Sequence, residues 1–197
     1  MAINLIDAVM ENLKGPVLEQ LGSWIGESPE KTHEVTSGLV PTILAGLAEK
    51  VAEPEGSSLF GTILDQVDDG LLDKLGSVFK GDEAEKVSET GGGLLTSLFG
   101  DNLLTTVIAG VAGAAGLGSG KVKTLLGFLA PVALGALKRL ITRKGLSLSW
   151  LVGLFAKQKG SISSMLPKGV GGLLTAAATA AAAAIGGEAE EPAVEVS

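Results

Sequence analysis

Lys121 to Arg143 reads KVKTLLGFLAPVALGALKRLITR. The run from Leu125 to Leu137 carries no charge and is bounded by Lys121 and Lys123 on one side and Lys138, Arg139 and Arg143 on the other. It is shorter than the roughly 20 apolar residues a bilayer span requires. Pro131 stands inside it. A proline within a helix removes one backbone donor and crowds the carbonyl four residues earlier, so a kink or split is expected there. An earlier segment, Ser37 to Val51 (SGLVPTILAGLAEKV), echoes this one. With Pro41 placed on Pro131, Leu44 falls on Leu134, Ala45 on Gly135, Gly46 on Ala136 and Leu47 on Leu137. Downstream, SSLFGTIL at 57–64 pairs with LSWLVGLF at 148–155 after a one-residue slip. The offset of about 90 residues exceeds a solenoid period of roughly 20–50 residues. The expectation is one duplicated helical module, with the four leucines in equivalent core places.

Outward from this pair, the chain reads as all-α. Asn4 to Leu13 puts Leu5, Ile6, Val9, Met10 and Leu13 on one helical stripe. Gly15-Pro16 breaks it, and proline suits the first turn of a second helix ending at Ile25-Gly26. Ser28-Pro29-Glu30 is a helix start for a third segment reaching about Ala52, kinked near Pro41. Leu59 to Val67 and Leu71 to Phe79 read as short helices. Leu103 to Gly116, the central helix after Ser119-Gly120, Leu148 to Ala156 and Ser161 to Leu166 follow. No stretch shows strand alternation. The expected organisation is a first module over 1–80, a polar linker over 81–90, a second module over 91–167, an Ala/Gly-rich helix over 168–187 and a disordered acidic tail over 188–197.

Composition narrows the function. Apolar residues make up 46% and aromatics only 4%, so the core must be built from Leu, Val, Ile and Ala. There are 29 glycines, many inside apolar helical runs. Each costs roughly 1 kcal/mol against alanine, and close helix approach is the compensating reason. Cysteine is absent, which excludes a disulfide framework, thiolate metal sites and a cysteine nucleophile. MAINLIDAVM has no basic leader and holds Asp7, so a cytoplasmic residence is expected, with peripheral membrane association as a further option. The net charge of −7 is unevenly spread: Lys121 to Gly187 holds nine of the 15 Lys and Arg and no acid. Such halves attract each other within a chain, between copies, or toward an anionic surface.

Each candidate site falls short of its chemistry. His33, with Glu30 and Glu34 nearby, is the only histidine, and zinc needs three or four ligands. Asp65, Asp68, Asp69 and Asp73 surround Gly70 without the alternating spacing and closing Glu of a calcium loop. Gly116-Leu117-Gly118-Ser119-Gly120-Lys121 lacks the spacer, the Lys-Ser/Thr pair and the preceding strand of a phosphate loop. One histidine in a helix offers serine nucleophiles no triad. The basic half lacks free stacking aromatics, since Phe128, Trp150 and Phe155 sit in apolar runs, which disfavours nucleic acid. No catalytic, cofactor-binding or metal residue and no small-molecule substrate is therefore assigned, and no enzyme is expected.

The segments SPEKTHEVTSGLVPTILAGLAE at 28–49, GGGLLTSLFG at 91–100 and LLGFLAPVALGALKR at 125–139 resemble the YidB-like bacterial family of unknown function. The resemblance runs over most of 3–166. Family members often carry a histidine before the LFG; Ser97 stands there in this chain, so no imidazole role transfers. FAKQKGSISSMLPKGV at 155–170 resembles the form that precedes a membrane helix and an OmpA-like domain in some relatives. The resemblance implies an all-helical duplicated fold and no known activity. The expected role is a non-catalytic helical scaffold that self-associates as a homo-oligomer or binds a protein partner, with a bacterial envelope link. The alternative is a membrane-associated or membrane-inserting protein, using the basic apolar half or the Ala-rich helix.

Overall fold

The computed structural model describes residues 3–166 except 69, together with 170 and 172. Nine α-helices and no strand are found among the described residues. They are α1 (Leu5–Met10, followed by a 3₁₀ turn Glu11–Leu13), α2 (Pro16–Ile25), α3 (Pro29–Ala52), α4 (Gly56–Asp65) and α5 (Leu71–Lys74), then α6 (Glu83–Phe99), α7 (Asp101–Ala115), α8 (Ser119–Lys144) and α9 (Leu148–Ser164).

The helix starts and stops follow local chemistry. Asn4 Oδ1 accepts from the Ile6 amide at 2.9 Å, and Ser28 Oγ accepts from the Lys31 amide at 3.2 Å, each meeting a donor that the first turn leaves unpaired. Gly26 ends α2 at φ 74°, with the Glu27 amide donating back to the Gly22 carbonyl. Gly116 ends α7 at φ 68°, with the Leu117 amide donating back to the Ala112 carbonyl. Both are left-handed glycine stops. These two joints lie 90 residues apart, and each leads into a long helix whose thirteenth residue is proline, Pro41 in α3 and Pro131 in α8.

Neither proline splits its helix. The carbonyl that Pro131 leaves without a helical donor is that of Gly127, and Gly91 of α6 lies directly against it. Beside this contact, Ser88 Oγ donates to the Thr124 carbonyl at 2.9 Å. Glycine here serves close approach, as expected from its placement in apolar runs.

The middle stretches of α3 (39–48) and α8 (125–137) are buried on all sides, so they are apolar all round, while the charged ends of both helices reach the surface. Leu44, Leu47, Leu134 and Leu137 are all fully buried, as are Leu125, Leu126, Phe128 and Leu129. α3 and α8 pack on each other, and each is sheathed by helices from the opposite half. α1, α2, α4 and α5 reach α8, while α6, α7 and α9 reach α3. Aromatic contacts cross the same divide. Trp24 and Phe79 stack on Phe128 with ring centroids 5.7 and 5.0 Å away, and Phe60 meets Phe155 edge-on at 5.8 Å. Buried residues from both halves thus form one hydrophobic cluster.

Several boundaries differ from the sequence reading. Residues 83–90, read as the greater part of a linker, are the first half of α6. Glu83, Glu85 and Glu89 give that half a polar face, while Ala84 keeps it anchored in the core. Leu148 to Ser164 is one helix rather than two, because Gly160 is tolerated mid-helix. The second short helix stops at Lys74, and the chain reaches Phe79 through turns. The expected Ala/Gly-rich helix over 168–187 and acidic tail over 188–197 lie outside the described residues, apart from Val170, which is fully buried, and Gly172.

Three threonines are buried in α3. Thr32 Oγ1 donates to the Ser28 carbonyl at 2.8 Å and Thr42 Oγ1 to the Gly38 carbonyl at 2.7 Å, whereas Thr36 Oγ1 has no hydrogen-bond partner among the described residues. An unpaired buried hydroxyl costs about 1–3 kcal/mol. Thr36→Val is expected to raise stability by about 1 kcal/mol, read as a higher urea midpoint, because the isosteric methyl removes the desolvation cost.

Candidate functional site

The sequence-predicted polar clusters separate in the structure. His33 is exposed on α3. Asp68 accepts from the Gly70 amide at 2.8 Å and pairs with Lys74 at 3.5 Å. That backbone hydrogen bond, aided by Lys74, holds the Asp68 carboxyl below its ordinary 3.8. A depressed carboxylate contributes stability above the ordinary value that is lost as pH falls through the folded one. Asp68 is exposed, so this contribution is small. Asp73 instead pairs with Arg139 at 2.7 Å, and Asp65 is exposed at the end of α4. Asp69 lies outside the described residues. Among the described residues, no group of three or more His, Cys, Asp or Glu is placed to hold a metal ion.

Gly116 to Lys121 is the α7–α8 joint, with Gly118 as N-cap of α8. The Lys121 ammonium pairs with Glu27 at the α2–α3 joint. Ser97 is exposed on α6 and donates to the Gly93 carbonyl at 3.1 Å. The sequence motifs that looked distinctive are therefore engaged in packing and joints. In LFG, Leu98 is buried, the Phe99 ring lies against Gly46 of α3, and Gly100 at φ 74° turns the chain by 111° from α6 into α7. In GGG, Gly91 meets the Gly127 carbonyl. In LAPVALGAL, Leu129 to Leu134 line the core.

The α6–α7 turn opens a groove of about 1100 Å³. Its walls come from α6, α7, the C-terminal end of α2 and the N-terminal end of α8. Exposed Glu85, Glu89 and Asp101 line it, together with Lys121, Lys123, Ser119 and Thr124. Gly92 and Gly93 face it with nothing within 4 Å of where a side chain would begin. Its lining holds no histidine and no cysteine. What it offers is a largely apolar recess, floored by side chains such as Trp24, Leu95 and Ile108, with a net acidic rim and room above its glycines. The sequence missed it because it arises from the 111° turn, which only the fold reveals.

Charge asymmetry also takes a definite form. Three cations of the acid-free stretch reach acids of the first half: Lys121 to Glu27, Arg139 to Asp73 at 2.7 Å, and Lys159 to Glu49 at 2.7 Å. Arg143, Lys144 and Lys157 are exposed and make no ion pair among the described residues.

Two helices, α3 and α8, are long and apolar enough to cross a membrane by length and composition, and 72% of each apolar window is buried within the fold.

No curated protein matches the chain, and no solved structure does. The YidB-like resemblance agrees with a family match. Residues 7–139, from α1 to the last turns of α8, match the model of a bacterial protein family of unknown function (DUF937), and the chain belongs to that family.

Proposed function

We propose that the protein is a non-catalytic helical scaffold that self-associates. One observation carries this reading: the motifs that mark the family are occupied by packing. Gly91, Leu98, Phe99, Gly100 and Leu129 to Leu134 serve helix–helix contact or a helix joint, leaving no reactive constellation among them. The matched α2–α3 and α7–α8 joints support a two-module origin of the fold, with Pro41 and Pro131 at the same helical position. The surplus of acids on one half and of cations on the other gives copies a reason to attract one another. Light scattering of the full chain at micromolar concentration is expected to give a mass above the 19.8 kDa of one chain. A constant 19.8 kDa species that retains no protein partner from a bacterial lysate contradicts the proposal.

A second reading, membrane contact, is favoured by the membrane-length α3 and α8. Because both are sheathed, contact in this state would be peripheral and made by the basic half. Flotation with anionic vesicles tests it; protein remaining wholly in the soluble fraction removes it.

A further inference from the structure

We infer that the corner joining α8 to α9 docks into the acidic groove of a second copy of this chain. The inference rests on the self-association proposed above and names its two surfaces. Among the described residues only Leu59, Trp150 and Met165 are large apolar side chains left exposed. One of these, Trp150, stands in the first turn of α9, where Leu154 at i+4 and Lys157 at i+7 lie within about 40° of it at 100° per residue. Arg143 and Lys144, in the last turn of α8, precede Trp150 across a tight glycine turn at Gly145, φ 60°. Trp and Arg are the residues that most often anchor protein interfaces.

The groove supplies the complement. Glu85, Glu89 and Asp101 line it without an ion pair among the described residues, while its Lys121 is neutralised by Glu27, leaving Lys123 as the one opposing charge. Above Gly92 and Gly93 there is room for an inserted side chain.

Charge selects the occupant. Outside 121–187 the chain holds 22 acids and six of its 15 cations, so the bulk of the molecule is repelled by an anionic bilayer or a nucleic acid but attracts the basic corner of another copy. A single chain cannot satisfy both surfaces itself. The groove takes in Ser119 at one end of α8 and the corner begins at Lys144 at the other, and a 26-residue helix is about 39 Å long. The contact is therefore head to tail, and it propagates into rings or chains.

Two variants at exposed positions test this. In the first, Arg143→Ser, Lys144→Ser and Trp150→Ala remove the corner; in the second, Gly93→Leu and Glu89→Lys fill and reverse the groove. Wild type is expected to sediment above 19.8 kDa and to dissociate as salt is raised. Each variant alone is expected at 19.8 kDa with a circular dichroism melt that stays cooperative, raised slightly in the second variant by the loss of a mid-helix glycine, and an equimolar mixture at twice 19.8 kDa, one intact groove holding one intact corner. If wild type assembles and either variant assembles equally, the surface pair is wrong while self-association stands. If both variants are monomeric and their mixture remains so, the two surfaces do not meet each other and the inference fails. If wild type is monomeric throughout, self-association and this inference fall together, and binding of that monomer to anionic vesicles, lost in the first variant, would reassign the corner to lipid.

Discussion

Gly91→Ala is expected to destabilise the fold by about 3 kcal/mol or more, whereas Gly92→Ala and Gly93→Ala, its immediate neighbours, each stabilise it by about 0.5–1 kcal/mol. All three are interior residues of α6, so intrinsic helix propensity favours alanine equally at each. The difference comes from what a methyl would meet. At Gly91 it would fall on the Gly127 carbonyl, with Pro131 Cδ only 2.6 Å away. That obstacle is backbone and a proline ring, neither of which swings aside, so α6 and α8 must separate. At Gly92 and Gly93 nothing lies within 4 Å. For a chain of this length the Gly91 change corresponds to a melting temperature lower by about 6–12 °C. Urea unfolding of the three variants checks it, and equal effects at all three positions would contradict the described α6–α8 contact.

Leu44→Ala and Leu134→Ala are each expected to cost about 2–5 kcal/mol, as are Leu47→Ala and Leu137→Ala. All four side chains are fully buried, each in a helix enclosed by elements of both halves, so little collapse is available to refill the space. The size within that range reports how far each site closes. If the paired positions hold equivalent places, Leu44→Ala and Leu134→Ala lie close to each other, and so do Leu47→Ala and Leu137→Ala. Thermal melts that do not move for Leu44 and Leu134 would remove the pairing.

Much of this architecture was legible because the chain announces its helix ends with local chemistry. Gly15-Pro16, Gly26 and Ser28-Pro29 set the bounds of α2 and the start of α3 where the sequence reading placed them. Leu44, Leu47, Leu134 and Leu137 were expected in the core from the echo between the two proline segments, and all four are fully buried. What escaped were features fixed by tertiary contact. The acidic run before Gly91 lacks the dense apolar stripe that flags a helix, yet α8 lends it a surface to pack on through Ala84, Ser88 and Gly91. Proline was expected to kink or split α3 and α8; both remain single helices, and against α8 the freed Gly127 carbonyl is covered by a glycine of another helix. The ion pairs that tie 121–166 to the first half were legible only as a charge imbalance, because their partners are 66 to 110 residues away in sequence. The groove depends on the Gly100 turn, whose angle no residue pattern encodes.

The two proline helices pack together in one core built from residues of both halves. Native-state hydrogen exchange of the full chain tests this most directly. The predicted result is that the slowest amides lie in both α3 and α8 and exchange with the same free energy, equal to that of global unfolding. Amides of α3 opening at a distinctly lower free energy than those of α8, with the N-terminal helices following α3, would show two independent units and contradict it.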